Sequence, residues 1–345
     1  MTQRDLLRID VRAEIRKISE RRFKTAGDYA VELIRYVAAQ RPTRIDVSST
    51  RSRLRVSHDG SGLVGSSLKR LAVVFDHRRP DRERHDALVA FELEHGLGLL
   101  AAFAFPGVRV SIDGLVDRRP RGVELCPGRP PRSFSPRLEE GFSISVRAAG
   151  RRPRLERRLI EEACRHALVP IHLNGRLVSE GPRLDGCLVQ ADLRNPRLQG
   201  VVGLPRESDL TRIVRLRHGV RAEEVVRPSV NGLVFHAIAD ERDDDLDATW
   251  QTLRRAARKL YERLAGRVGD LGEAARSRAL RLLFDRYAHS REAALMRGVP
   301  AFPRVGGEEL DLDAVRRLAS RKPIYALAPE ESARLYDLAG RPVLR

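Results

Sequence analysis

Residues 44–62 read RIDVSSTRSRLRVSHDGSG and decide the fold of the N-terminal part of the chain. Apolar side chains alternate with polar ones at Ile45 and Val47, and again at Leu54 and Val56. A polar turn at 49–52 separates the two runs. An alternation with period two predicts a β-hairpin with its apolar side chains on one face. A glycine-rich piece, 58–62, follows the second strand directly.

The segments on either side of this hairpin alternate between helical and extended patterns. Before it, a helix is predicted from Asp28 to about Gln40. After it, helical character near 87–91 leads into Glu94-His95-Gly96-Leu97-Gly98, and alternating strands follow at 108–112 and 142–146. The charged segment 76–86 is expected to be an exposed loop, and the Pro- and Arg-rich segment 118–137 a surface excursion. The order of elements predicts an α/β fold.

The predicted helix and the glycine-rich piece resemble two nucleotide-binding boxes of the GHKL ATPase superfamily, which includes gyrase, heat-shock chaperones, histidine kinases and MutL. The first box, Glu-x-x-x-Asn, is matched by Glu32, with Tyr36 in the place of the Asn. The second, Asp-x-Gly-x-Gly, is matched by Gly60 and Gly62. Its Asp position holds His58, and Asp59 stands one residue further along.

A third box, Gly-x-x-Gly-x-Gly, is matched by Gly96 and Gly98, with Leu93 in the place of the leading glycine. The three segments occur in the family's order. The resemblance therefore implies a two-layer α/β sandwich (the Bergerat-type ATP-binding fold) over 1–147. A smaller βαβ-type domain over 150–270 and a mostly helical C-terminal region over 271–345 follow it.

The resemblance also implies roles for these residues. Glu32 would be the catalytic base, and Gly96 and Gly98 would cradle the phosphates of ATP, as backbone near a helix start can. Tyr36, His58, Asp59, Gly60 and Gly62 would line the rest of the nucleotide pocket. ATP and Mg²⁺ are the implied cofactors.

Two substitutions argue against ATP turnover. A neutral phenol at Tyr36 is a poor substitute for the Asn amide that holds Mg²⁺ in the family. A histidine at position 58 removes the carboxylate that accepts the adenine amino group, and an unpaired buried donor costs about 1–3 kcal/mol. Simpler roles also stay open, since the glycines can be turn formers, Glu32 a solvated carboxylate, His58 a loop histidine and Tyr36 a core residue. No spacing of Cys or His predicts a metal site.

Composition limits the partners. The net charge is +18, yet the arginines are spread along the chain and aromatic residues make up only 5%. A positive field attracts nucleic acid, but stacking platforms for single strands are not indicated. No run of about 18 apolar residues predicts a membrane span, and no apolar signal-peptide core is present, so a cytoplasmic location is expected.

Two main functions stay open. The chain is either a divergent, chaperone-like clamp that responds to nucleotide, or a catalytically inactive scaffold of the same fold that binds protein partners or clients. A nucleic-acid-binding module is a third alternative, and the oligomeric state is left open.

Overall fold

The computed structural model describes residues 13, 14, 17, 23–96, 98–105, 107–136, 138, 141–229, 232–241, 245–287, 298, 299, 301–303, 309–321, 325, 326, 343 and 344. The chain divides into two compact units. Unit 1 comprises Met1–Arg183 and Leu216–Glu223, and unit 2 comprises Leu184–Arg215 and Glu224–Arg345.

Unit 1 contains an eight-stranded sheet with the strand order β5-β4-β3-β6-β2-β1-β7-β8. The strands are β1 (Ile45–Ser49), β2 (Leu54–His58), β3 (Arg109–Val116), β4 (Arg119–Leu125), β5 (Arg132–Phe134), β6 (Phe142–Arg147), β7 (Ile171–Leu173) and β8 (Arg176–Leu177). The helices are α1 (Asp28–Ala38), α2 (Gly65–Phe75), α3 (Asp81–His95) and α4 (Pro153–Cys164), with a 3₁₀ turn at Leu100–Ala104.

The strands of this sheet have one apolar and one polar face. The strand registers align Val47, Val56, Ile144 and Ile112 in one row across β1, β2, β6 and β3. All four side chains are buried in a core that also contains the inner side chains of α1. The sequence-predicted hairpin is confirmed, and unit 1 is a two-layer α/β sandwich, as the fold class predicted.

Residues 150–183 extend this sheet. Strand β7 pairs in parallel with β1, with Ile45 opposite Ile171 and Val47 opposite Leu173. Ile160 and Cys164 of α4 are buried in the same core. The structure therefore groups 150–183 with unit 1, whereas the sequence analysis grouped this segment with the second domain.

Two segments differ from the sequence-based expectation. Within the expected loop 76–86, α3 begins at Asp81, because Asp81 and Glu83 complement the positive end of the helix. Arg84 also pairs with Asp81 at 3.1 Å. Within the expected excursion 118–137, β4 and β5 form because β4 pairs along its whole length with β3. Local charge and proline content hid both elements.

Unit 2 contains a five-stranded sheet with the order β12-β11-β13-β10-β9. Its strands are β9 (Cys187–Arg194), β10 (Leu198–Pro205), β11 (Leu210–Arg217), β12 (Val220–Pro228) and β13 (His236–Glu241). Helices α5 (Leu246–Ala265) and α6 (Glu273–Tyr287) follow the strands, and Leu253, Leu260 and Leu283 pack in the same core as Val202 and Ala239. Toward the C-terminus lie α7 (Leu312–Ala319) and the short strands β14 (Phe302–Pro303), β15 (Glu309–Leu310), β16 (Tyr325–Ala326) and β17 (Val343–Leu344).

Candidate functional site

Glu32 lies on α1, and its side chain is 29% exposed. Its carboxylate forms an ion pair with Arg35, one helical turn further along. Arg35 also donates a hydrogen bond of 2.8 Å to the backbone carbonyl of Arg221, which belongs to unit 1 as well. The predicted catalytic base is therefore already engaged by a cation that α1 itself supplies.

Tyr36, one turn after Glu32, is buried, with only 5% of its surface exposed. Its ring lies 5.9 Å from that of His95, edge to face. Among the described residues its hydroxyl has no hydrogen-bond partner. Burial raises the pKa of Tyr36, and the charge of Glu94 raises it further, so the phenol stays neutral.

Gly98 packs against this tyrosine, and Gly96 does not. A Cβ at Gly98 would lie 2.4 Å from the Cβ of Tyr36, so any side chain there would collide with α1. Gly96 ends α3 with φ +65°, and its amide donates to the carbonyl of Glu92 at 2.7 Å. Gly98 therefore permits a close approach to α1, and Gly96 ends α3 with a positive φ that favours glycine.

His58 ends β2 and is buried. Its Nδ1 accepts a hydrogen bond of 3.0 Å from the amide of Gly60, and its ring lies 5.4 Å from Phe142. Burial lowers the pKa of His58 to about 4, although the charge of Asp59 opposes the shift. The imidazole is therefore neutral near pH 7, with its proton on Nε2.

Asp59 is exposed, and its carboxylate binds the backbone of the segment between α1 and β1. Its carboxylate accepts hydrogen bonds from the Thr43 amide at 2.8 Å and the Arg44 amide at 3.2 Å, and from the Thr43 hydroxyl. These hydrogen bonds, that of the Thr43 hydroxyl foremost, lower the pKa of Asp59. Asp59 ties the start of β1 to the end of β2.

Gly60 and Gly62 lie where the backbone is crowded. A Cβ at Gly60 would lie 2.8 Å from the carbonyl oxygen of Gln40, and one at Gly62 would lie 1.9 Å from that of Leu115. At position 62 the neighbour is backbone in β3, which cannot move aside without disturbing the sheet. Close packing against β3 therefore requires glycine at position 62.

These contacts group the predicted site residues into separate sets. Tyr36 meets Gly98, and His58 meets Gly60, while Gly62 meets β3 and Glu32 meets Arg35. No described contact joins Glu32 to the glycines. The nucleotide-binding roles of these residues stay predictions.

A buried polar network in unit 1 was missed by sequence reasoning. Glu156 of α4 is fully buried and accepts from Tyr29 at 2.7 Å, Ser49 at 2.9 Å and Arg151 at 2.6 Å. The same arginine donates to the Tyr29 hydroxyl at 3.0 Å. A signal was available, because Glu156 lies in one row with Ile160 and Cys164, the buried face of α4.

The face of the sheet opposite the helices carries a cavity of about 760 Å³. Its lining is polar and rich in arginine and serine: Arg53, Arg55, Ser111, Asp113, Glu124, Arg132, Phe134, Ser135, Pro136, Leu138, Ser143, Ser145 and Arg147. A second cavity of about 280 Å³ shares Arg55 and Leu138 with the first and extends to Arg44 and His58. Strand alternation could have predicted this polar face, but not the cavities.

The described part of the chain contains no cluster of three or more His, Cys, Asp or Glu residues arranged to hold a metal ion. None of its helices combines the length and the apolar character needed to cross a membrane. Cys126, Cys164 and Cys187 are free thiols.

Comparison with known proteins gives a structural likeness at low sequence identity. No protein-family model matches the sequence, and no curated protein matches it. Among solved structures, the chain is similar to the ATPase region of Saccharomyces cerevisiae topoisomerase II, at 12% sequence identity and a TM-score of 0.40. The alignment covers 61% of this chain and 72% of that one. At this sequence identity and TM-score the likeness carries no functional argument.

Proposed function

We propose that unit 1 is a GHKL-like sandwich that does not hydrolyse ATP and acts as a binding module. The observation that carries this proposal is the packing of Tyr36 against Gly98. The resemblance gives these positions to Mg²⁺ and to the phosphates. In this chain the Tyr36 side chain packs directly against the backbone of Gly98.

The character of Tyr36 supports the proposal. A buried, neutral phenol offers Mg²⁺ one weak ligand atom, whereas hard cations select carboxylate and carbonyl oxygens. Burial keeps the phenol protonated, since it raises the pKa of Tyr36. These residues do not fit an Mg²⁺–phosphate site.

The residues at the adenine end support it too. The Asp59 carboxylate is occupied by hydrogen bonds from residues 43 and 44. His58 uses Nδ1 to accept from Gly60, so only its Nε2–H is free to face a base. A nitrogen donor repels the adenine amino group, which is itself a donor.

Thermal melting with ATP and Mg²⁺ tests the proposal. A ligand at about 100 times its Kd stabilises the native state by about 2.7 kcal/mol, which shifts the melting temperature of a unit of this size by several degrees. We expect no shift with ATP·Mg²⁺ or ADP at millimolar concentration and no phosphate release. A melting temperature that rises with ATP·Mg²⁺ but not with inorganic tripolyphosphate at equal concentration would overturn the proposal, because only a nucleotide site distinguishes the two.

Glu32→Gln is the matched control for the phosphate-release assay. The substitution removes the carboxylate of the predicted base and keeps the size of the side chain. Phosphate release that is equal in wild type and E32Q comes from a contaminant and agrees with the proposal. Release that E32Q abolishes identifies Glu32 as a working base and contradicts it.

A further inference from the structure

The face of the unit 1 sheet opposite its helices, called here the open face, presents ordered rows of polar side chains. The strand registers align Arg132, Glu124, Ser111, Ser145 and Arg55 across β5, β4, β3, β6 and β2. The neighbouring row on the same face contains Asp113, Ser143, Ser57 and Asp46. Strands lie about 4.8 Å apart, so the first row spans about 19 Å.

Positive charge dominates the cavity on this face. Arg53, Arg55, Arg132 and Arg147 line it, and within the described ranges none of them forms an ion pair with a carboxylate. Arg55 instead donates to the hydroxyl of Ser143 at 2.8 Å. Against these four guanidinium groups, the lining contains two carboxylates, and that of Glu124 lies 3.7 Å from Arg109 at the rim.

The shape of the open face suits a linear molecule. The two cavities adjoin at Arg55 and Leu138, so the polar lining runs from Phe134 on β5 to Arg44, which directly precedes β1. The second cavity adds the carboxylates of Asp46 and Asp59, so the positive charge is concentrated in the first. Apolar side chains are sparse along this lining. A partner that binds by burying its own apolar side chains would find few pockets here.

We propose that the open face binds a single-stranded nucleic acid through its phosphates. Arginine and serine side chains are common phosphate ligands, and the four guanidinium groups, which have no carboxylate partner in the described ranges, complement a chain with one charge per nucleotide. At a stacked spacing of about 3.4 Å, about 19 Å accommodates five or six nucleotides. The inference rests on the proposed function, for which it names the partner.

Fluorescence anisotropy with a labelled oligothymidylate of about 12 nucleotides tests the inference. The full-length protein should bind at low salt. The logarithm of the association constant should fall with the logarithm of salt concentration with a slope of about −3, as four phosphate contacts predict. R53Q/R132Q should weaken binding at least tenfold and reduce the slope to about −1.5.

The matched control is R82Q/R158Q, which removes the same charge from exposed positions on α3 and α4. It should bind like wild type. Equal loss in both double variants would show a non-specific effect of net charge and overturn the inference. The single variant R132Q, on the exposed edge strand β5, gives the same test with less risk to folding.

Two competitors separate the partner classes. Oligouridylate of equal length should compete with the probe about as well as oligothymidylate, because the contacts are to phosphate. Stronger competition by duplex DNA or by poly-glutamate of equal charge would overturn the inference in favour of those partners. Since ATP appears in none of these assays, their failure leaves the proposal of a non-hydrolysing module to be decided by its own melting test.

Discussion

The two faces of the unit 1 sheet are made by the same strands, but their side chains differ in how many contacts they make with other parts of the protein. On the helix-covered face, Val47, Val56 and Ile144 pack in the core, and the predicted nucleotide-site residues mostly contact each other or the backbone. On the open face, arginines line a cavity without carboxylate partners among the described residues. The resemblance pointed to the first face, whereas the unpaired charge points to the second. The difference teaches that residues recognised as a motif in the sequence can have packing contacts as their partners in the fold.

The largest effect that would sharpen this comparison is expected at Glu156, on the covered face. Glu156→Ala leaves the Arg151 guanidinium buried without its counter-charge, and breaking such a pair costs about 3–5 kcal/mol. The measurement is the free energy of urea unfolding. Ser145→Ala on the open face is the control and should change it by less than about 0.5 kcal/mol.

The double variant E156L/R151M checks the cause. If the loss comes from an unpaired charge, removing both charges should recover most of it, because apolar replacements of buried pairs are often neutral. A double variant as unstable as E156A would show that the loss comes from packing instead.

The next largest effect is the loss of stability on substituting Gly62 by alanine, which should exceed the loss at Gly96. Gly62→Ala places a methyl group 1.9 Å from the carbonyl oxygen of Leu115, and we expect a loss of about 3 kcal/mol. Gly96→Ala meets nothing within 4 Å, but its φ of +65° and ψ of −161° lie in a region that is almost restricted to glycine, so we expect a loss of about 2 kcal/mol. Thermal melting of the two variants gives the comparison. A reversed order would contradict the packing role assigned to Gly62.

The smallest of the three effects depends on pH and on His58. Because burial lowers the pKa of His58 to about 4, the folded state keeps it neutral while the unfolded state takes up a proton below about pH 6.5. Its contribution to stability is therefore lost as pH falls from about 6.5 toward 4, by about 2 kcal/mol at pH 4.5. His58→Gln should be less sensitive than wild type over this range.

The measurement for His58 is the difference in unfolding free energy between pH 7 and pH 4.5 in each protein. Comparing variant with wild type cancels the contribution of other histidines, such as His166 and His236, whose pKa values burial also lowers. An equal difference in both proteins would show that His58 does not titrate in this range.

The sequence predicted local elements well and long-range contacts poorly. The hairpin at 45–58 and the helix from Asp28 follow from periodicity, which is local. The pairing of β7 with β1 joins residues more than a hundred positions apart, and no local pattern encodes it. The helical character near 87–91 was predicted, but the start of α3 at 81–86 was missed because these charged turns lack an apolar row, although charge at a helix start is itself stabilising.

For the candidate site too, the sequence showed which residues are present but not which residues they contact. Glycine at 60, 62, 96 and 98 was visible in the sequence, and so were the substitutions at 36 and 58. What each glycine packs against was not visible, because the neighbours at Gln40, Leu115 and Tyr36 are set by the tertiary structure. The arginines of the open face were also visible. Only the strand registers showed that they share one surface.

The parallel pairing of β7 with β1 has a practical consequence for dissecting this chain. A fragment truncated at residue 147 would lose α4 and β7, leaving β1 as an unpaired edge and the Tyr29 hydroxyl without its carboxylate acceptor. Extending the fragment to residue 183 restores both, yet it still omits Val220, which is fully buried in the same core. Expression trials of the N-terminal part should therefore retain the chain through residue 223, or graft 216–223 back by a linker.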